Sequence, residues 1–248
     1  MLVPLSIALV LAPKPVEIKV AVDGKERTAL VVAPSKISKP APVIFAYHGH
    51  GGNQLYSVQK FKFQETWPEV VCVYPQGLPA KTPNDPQGLR NGWESTHNNS
   101  NRDVKFFDAL YKEIIKRYSV NQKQVFVMGH SNGATMTYAL WATRGDKIAA
   151  VGPCAAPGVR GITVPKPAFV ELGEKDPIVN VPLQRWNLNQ VKQLNGVTGQ
   201  GKSLGSYLLD FKGTVPMQTY VHPGGHELPS EVIPMMAKFF RSIAQSQK

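Results

Sequence analysis

Between Gln124 and Thr143 the chain changes period in a single step. QVFVMG (Gln124–Gly129) is a continuous apolar run of strand length, and from Asn132 to about Thr143 the apolar residues fall at helical spacing. Only His130 and Ser131 separate the two runs. A strand that feeds directly into a helix belongs to a layered α/β arrangement rather than to a bundle or a sandwich. The same alternation recurs along the sequence. VEIKVAVDGKERTALVVAP (Val16–Pro34) reads as a hairpin about an Asp23-Gly24 turn. Buried strands are expected at Pro42–Gly49, Val70–Pro75, Ile148–Pro153 and Ala168–Gly173, with a further strand at Met217–Pro223. Phe107, Leu110, Tyr111, Ile114 and Tyr118 share one helical face after Asn101, a suitable N-cap, and helices are also expected over Val181–Leu194 and Glu231–Ala244. The sum is a mostly parallel sheet with an N-terminal antiparallel hairpin and helices on both faces. Such sheets build their sites at the C-terminal ends of the strands, here directly after Tyr47, Pro75, Gly129, Gly173 and His222.

Composition narrows the function classes. Of 248 residues 42% are hydrophobic, enough for a core, which excludes a disordered chain. That length suits one α/β domain over residues 14–248 and leaves little room for a separate polymer-binding module. Residues 1–13 read as the remnant of a signal peptide. Leu5–Ala12 supplies the apolar run, although no basic residue precedes it, and a secreted or periplasmic protein is expected. No run is long enough to span a membrane. Lys and Arg number 28 against 17 Asp and Glu, but no basic block carries interleaved aromatics, so nucleic acid is not an expected partner. The expected state is a monomer. Cys72 and Cys154 lie on strands that this topology separates by two others, about 14 Å at ~4.8 Å per strand, so two free, buried thiols are expected.

Gly129-His130-Ser131-Asn132-Gly133 is a Gly-x-Ser-x-Gly elbow in the setting the chemistry requires. A serine hydroxyl is a poor nucleophile until its Oγ is held clear of the sheet and a base can take its proton. A strand–elbow–helix turn does the first and places Ser131 at a helix N-terminus, where free N–H groups point outward. An oxyanion needs two donors. The Asn132 N–H follows the nucleophile, and His48-Gly49-His50-Gly51-Gly52, directly after an early strand, offers the His50 N–H. His48 and His50 have no acidic partner at ligand spacing, so no metal is expected. His48, His130 and Trp93 are candidate substrate contacts. Trp93 either stacks on an aromatic or sugar group or anchors its loop on the core.

The base and its orienting acid should follow the serine in the order Ser, Asp, His. Asp176, just past the Ala168–Gly173 strand, is the acid, with Glu174 as a neighbouring alternative. His226, between the last strand and the last helix, is the base, with His222 as its rival on the strand itself. Gly196–Ser203 fits Gly-x-x-x-x-Gly-Lys-Ser, but neither a buried strand nor a helix start flanks it, so phosphate binding is rejected. The connection Gln76–Asn101 exceeds the ~12–15 residues of plain loops and is expected to serve the site.

With these residues in order the chain resembles an α/β-hydrolase. More narrowly, it is similar to the secreted esterase family that includes polyhydroxybutyrate depolymerases and feruloyl esterases. The likeness runs from about Pro42 to the C-terminus and is closest in Arg102–Tyr118 and in Gly129–Met136. It departs from the family at His50, where many members carry Cys, and at Leu172-Gly173, where many carry His-Gly. The resemblance implies an α/β-hydrolase fold, Ser131, Asp176 and His226 as catalytic residues, no cofactor, and extracellular ester substrates, polymeric ones included. The expected activity is serine carboxylic-ester hydrolysis, on hydroxycinnamate esters of plant cell-wall polysaccharide or, alternatively, on aliphatic or aromatic polyesters. A serine peptidase and a non-catalytic binding module are the competing classes.

Overall fold

The computed structural model describes residues 13–246, so nearly all of the expected signal remnant at 1–13 lies outside the described residues. Strands β1 (Val16–Val22) and β2 (Lys25–Val32) pair antiparallel about Asp23-Gly24, as their alternation predicts. β3 (Ala41–Tyr47) is followed by two short helices, α1 (Gln54–Phe61) and α2 (Phe63–Thr66), and then by β4 (Val71–Pro75). The long connection carries a small ribbon, β5 (Leu78–Pro79) against β6 (Asn91–Gly92), before α3 (Arg102–Arg117). Next come β7 (Val120–His130), α4 (Asn132–Arg144), β8 (Ala150–Cys154), β9 (Ala168–Gly173) and α5 (Val181–Leu194). The chain closes through β10 (Lys202–Ser203), β11 (Leu208–Phe211), β12 (Met217–His222) and α6 (Val232–Ser246).

Among the described residues ten strands form one sheet, in the order β1-β2-β4-β3-β7-β8-β9-β12-β11-β10. The six from β4 to β12 are parallel neighbours, and an antiparallel pair finishes each side. Successive residues of the central strands serve opposite faces. Val43, Phe45 and Val127 pack with Phe107, Leu110 and Ile114 of α3 and Met136 and Leu140 of α4. Ile44, Phe126 and Met128 pack with Phe61, Phe63 and the α6 residues Met236, Phe239 and Phe240. Helices therefore cover both faces, and the parallel strands are apolar along their length because both sides are buried.

Three differences from the sequence expectations have local causes. β7 begins at Val120 rather than Gln124, because Val120 pairs with Ala41 across an irregular register ahead of Val43. Helices α1 and α2 were not expected; they span eight and four residues, too short for a period to show. β10 and β11 were missed as well, since edge strands this short are defined by their partner, here β12. The Gly196–Ser203 segment ends on β10 and opens no helix, in keeping with its rejection as a phosphate loop. Cys72 and Cys154 are free and buried, with β3 and β7 between their strands. Among the described residues no helix is long and apolar enough to cross a membrane.

Candidate active site

Ser131 sits where β7 becomes α4, with φ 57° and ψ −124°. This positive-φ backbone costs on the order of 1–3 kcal/mol and persists only where the surroundings enforce it. They do so closely. Ser131 N–H donates to the Cys154 carbonyl of β8 at 2.8 Å. Gly133 lies against β3, where a Cβ would run into the Tyr47 carbonyl oxygen. The serine is thus lifted off the end of the sheet by contacts with both neighbouring strands.

Two loops bring the other groups to it. His226, after β12, places Nε2 2.8 Å from Ser131 Oγ and Nδ1 2.7 Å from Asp176 Oδ2, after β9. Asp176 Oδ1 accepts the Ile178 and Val179 N–H groups at 2.8 and 2.9 Å, and Oδ2 also accepts Gln184 Nε2–H at 2.9 Å. Burial pushes the Asp176 carboxyl up, but the bonds from His226, Val179, Ile178 and Gln184 outweigh it and hold it below its ordinary value. An anion facing His226 Nδ1–H is what keeps the Nε2 lone pair directed at the serine. The rivals fall elsewhere: Glu174 lies on the exposed surface and pairs with Arg185, and His222 pairs with Glu171.

The glycine loop after β3 runs beside the serine, and a Cβ on Gly49 would stand 3.4 Å from Ser131 Cβ. The His50 imidazole bonds Asp85 Oδ2 at 3.0 Å. Asp85 also accepts the Gly88, Leu89 and Arg90 N–H groups, and these backbone bonds, Arg90 foremost, lower its pKa to about 2. The Asn132 side chain exchanges two hydrogen bonds with the Trp93 backbone, at 2.7 and 3.0 Å. Both residues expected to offer oxyanion donors are therefore tied to the Gln76–Asn101 connection through their side chains.

Two of the expected substrate contacts are corrected. Trp93 is fully buried, donates Nε1–H to the His48 carbonyl at 2.8 Å and meets Tyr47 edge-on, so it anchors its loop. His48 is fully buried too. Its Nδ1–H donates to the Gly49 carbonyl and its Nε2 accepts the Gly77 N–H, and burial lowers its pKa to about 4. Neither side chain is exposed at the surface. His130 is half-buried, and its Nε2–H donates to the His226 carbonyl at 2.7 Å, fixing the His226 backbone. Burial first, then the His226 imidazole, lowers its pKa to about 4. Gln184 and Asp85 were missed. A lone Gln on a helix and a carboxylate inside a polar loop carry no periodic signal. Among the described residues no group of three or more His, Cys, Asp or Glu side chains is placed to hold a metal ion.

No family model matches the chain. Over 164 residues, 64% of this chain, it is 28% identical to a bifunctional acetylxylan esterase/xylanase of Neocallimastix patriciarum, of which the match covers 22%. Over 187 residues, 71% of this chain, it is 28% identical to feruloyl esterase D of Neurospora crassa, of which the match covers 62%. The chain thus spans less than two thirds of either relative. Among solved structures, the acetyl xylan esterase from Aspergillus awamori matches with a TM-score of 0.67 at 14% identity, over 91% of this chain and 99% of that one. That likeness shows the fold, which is the α/β-hydrolase fold.

Proposed function

We propose that this α/β-hydrolase-fold chain is a serine carboxylic-ester hydrolase that works through an acyl-enzyme on esters of plant cell-wall polysaccharide, hydroxycinnamate esters foremost. The observation that carries this reading is the unbroken relay from Ser131 Oγ through His226 to Asp176, with bonds of 2.8 and 2.7 Å. Relatives named acetylxylan esterase and feruloyl esterase support the substrate class.

The chemistry follows from the geometry. His226 Nε2 takes the hydroxyl proton as Ser131 Oγ attacks the ester carbonyl carbon. Asp176 stabilises the imidazolium without taking its proton. The negative charge that forms on the carbonyl oxygen is met by the His50 and Asn132 N–H groups, each such donor worth about 3–4 kcal/mol in the transition state. Collapse breaks the bond to the alcohol, which leaves with the proton held on Nε2. Water then attacks the acyl-serine by the same cycle and frees the acid. Three side chains and two N–H groups supply every proton transfer and every countercharge, so the reaction calls for no metal or cofactor. On this reading the enzyme acts as a monomer outside the cytoplasm.

The test compares methyl hydroxycinnamates, acetylated xylan, a polyhydroxyalkanoate film and a peptide anilide. Hydroxycinnamate turnover that disappears in Ser131→Ala is the expected result. Erosion of the film without hydroxycinnamate turnover would make the protein a polyester hydrolase, and anilide cleavage alone would make it a peptidase.

A further inference from the structure

Asp176–His226 is one of two carboxylate–imidazole bonds between the chain ends of β9 and β12. Beneath it Glu171 Oε1 lies 2.8 Å from His222 Nε2, with the Glu171 side chain 0% and the His222 side chain 5% exposed. Glu171 is on the strand that runs into Asp176, and His222 on the strand that runs into His226. Past His222 the chain folds back, and His222 Nδ1 accepts the Gly224 N–H at 3.2 Å. The turn is tied to β9 as well. Glu174 N–H donates to the His222 carbonyl and Lys175 N–H to the Gly224 carbonyl, both at 2.8 Å. Gly173 lies so close to the Gly225 carbonyl that it has no room for a Cβ. His226 is the next residue.

An imidazole that accepts at Nδ1 carries its proton on Nε2. The Glu171 carboxylate imposes that tautomer, because Nε2–H pointed at an anion is a charge-assisted bond and the opposite tautomer would set two lone pairs against each other. We propose that Glu171 and His222 are positioning residues of the reaction, holding Gly224 and through it the reach of His226 toward Ser131. The proposal rests on Ser131, His226 and Asp176 being the catalytic groups.

Acid should undo the device. The titratable groups around His222 are Glu171 on β9, Cys154 on β8 behind it, Tyr220 on its own strand, and Asp176, His226, Glu227 and Glu231 in the neighbouring loops. The bond to Glu171 raises the proton affinity of His222 against the effect of burial. The Gly224 N–H opposes protonation, since it needs the bare Nδ1 lone pair. A proton on Nδ1 turns an acceptor into a donor, breaks the Gly224 bond and favours Glu227 Oε1, 4.0 Å away. Protonation of His222 then contributes to the acid limb of kcat.

Three variants test this on a 4-nitrophenyl ester. His222→Asn leaves an acceptor where Nδ1 was, and His222→Gln leaves an amide where Nε2 was. The Asn variant should retain most of kcat, while the Gln variant should lose up to about a hundredfold, the scale of an ångström misplacement, with KM little changed. The acid limb of kcat should be steeper in the wild type than in His222→Asn. Glu171→Gln, which preserves shape, should move the acid limb to lower pH, and it decides the matter if the His222 variants do not fold. Wild-type kcat in folded His222→Gln, or an acid limb unmoved by Glu171→Gln, would overturn the proposal. Retained turnover in Ser131→Ala would instead remove the reading beneath it.

Discussion

At the scale of single residues, the grouping at the candidate site was readable where chemistry dictates residue type. Ser131, Asp176 and His226 stand out because a nucleophile elbow demands glycines around a serine and a fixed order of acid and base. Trp93 and His48 were not readable in the same way. Whether an aromatic ring faces substrate or core depends on which strand end it folds over, and both rings are spent on holding the glycine loop after β3. Asp176 connects the site to stability. Its folded-state pKa lies below the ordinary carboxyl value, so its bonds contribute stability above the ordinary range, and that contribution is lost as pH falls through the depressed value. Asp176→Asn should lower kcat by about 10³–10⁴, the cost of losing the tautomer. Its deficit in melting temperature against wild type should also shrink below the ordinary carboxyl range. A deficit that stays constant down to strongly acid pH would mean that the carboxylate charge does not hold the loop.

At the scale of elements, legibility followed length and capping. The bounds of α5 agree residue for residue with the sequence expectation, because Asn180 caps it through the Leu183 N–H and its apolar face repeats over fourteen residues. Helices α1 and α2 and strands β10 and β11 had no such pattern to give. The Gln76–Asn101 connection was recognisable as more than a linker from its length alone, but its function is carried by tertiary bonds. Asp85 gathers the Gly88, Leu89 and Arg90 N–H groups and fastens His50, while Asp103, buried and paired with Arg27, accepts the Glu94 N–H. The connection is therefore a clamp on the glycine loop after β3. Asp85→Ala should speed limited proteolysis between Thr82 and Arg90 and lower kcat by up to about a hundredfold, the lower end of what losing one oxyanion donor costs. Unchanged cleavage and unchanged kcat together would show that the clamp does not depend on this carboxylate.

At the scale of the whole molecule, the sheet order explains why residues far apart in sequence meet. The parallel strands β3, β7, β9 and β12 all end on the same side, and their following turns deliver the glycine loop, Ser131, Asp176 and His226 in turn. Apolar residues on both faces of those strands hold that convergence without a disulfide, and burial pushes the Cys72 thiol up to about 12. The parallel core was legible because strands buried on both faces are apolar without a break. The antiparallel finish at β10 and β11 was not, since it follows from pairing alone. The most direct measurement on the assembled molecule is intact-protein mass spectrometry during rapid mixing with 4-nitrophenyl acetate. A nitrophenolate burst equal to the enzyme concentration, with a single acetyl group mapped to Ser131 and no burst in Ser131→Ala, is the predicted result. Acetyl mapped to another residue, or wild-type turnover in Ser131→Ala, would contradict it.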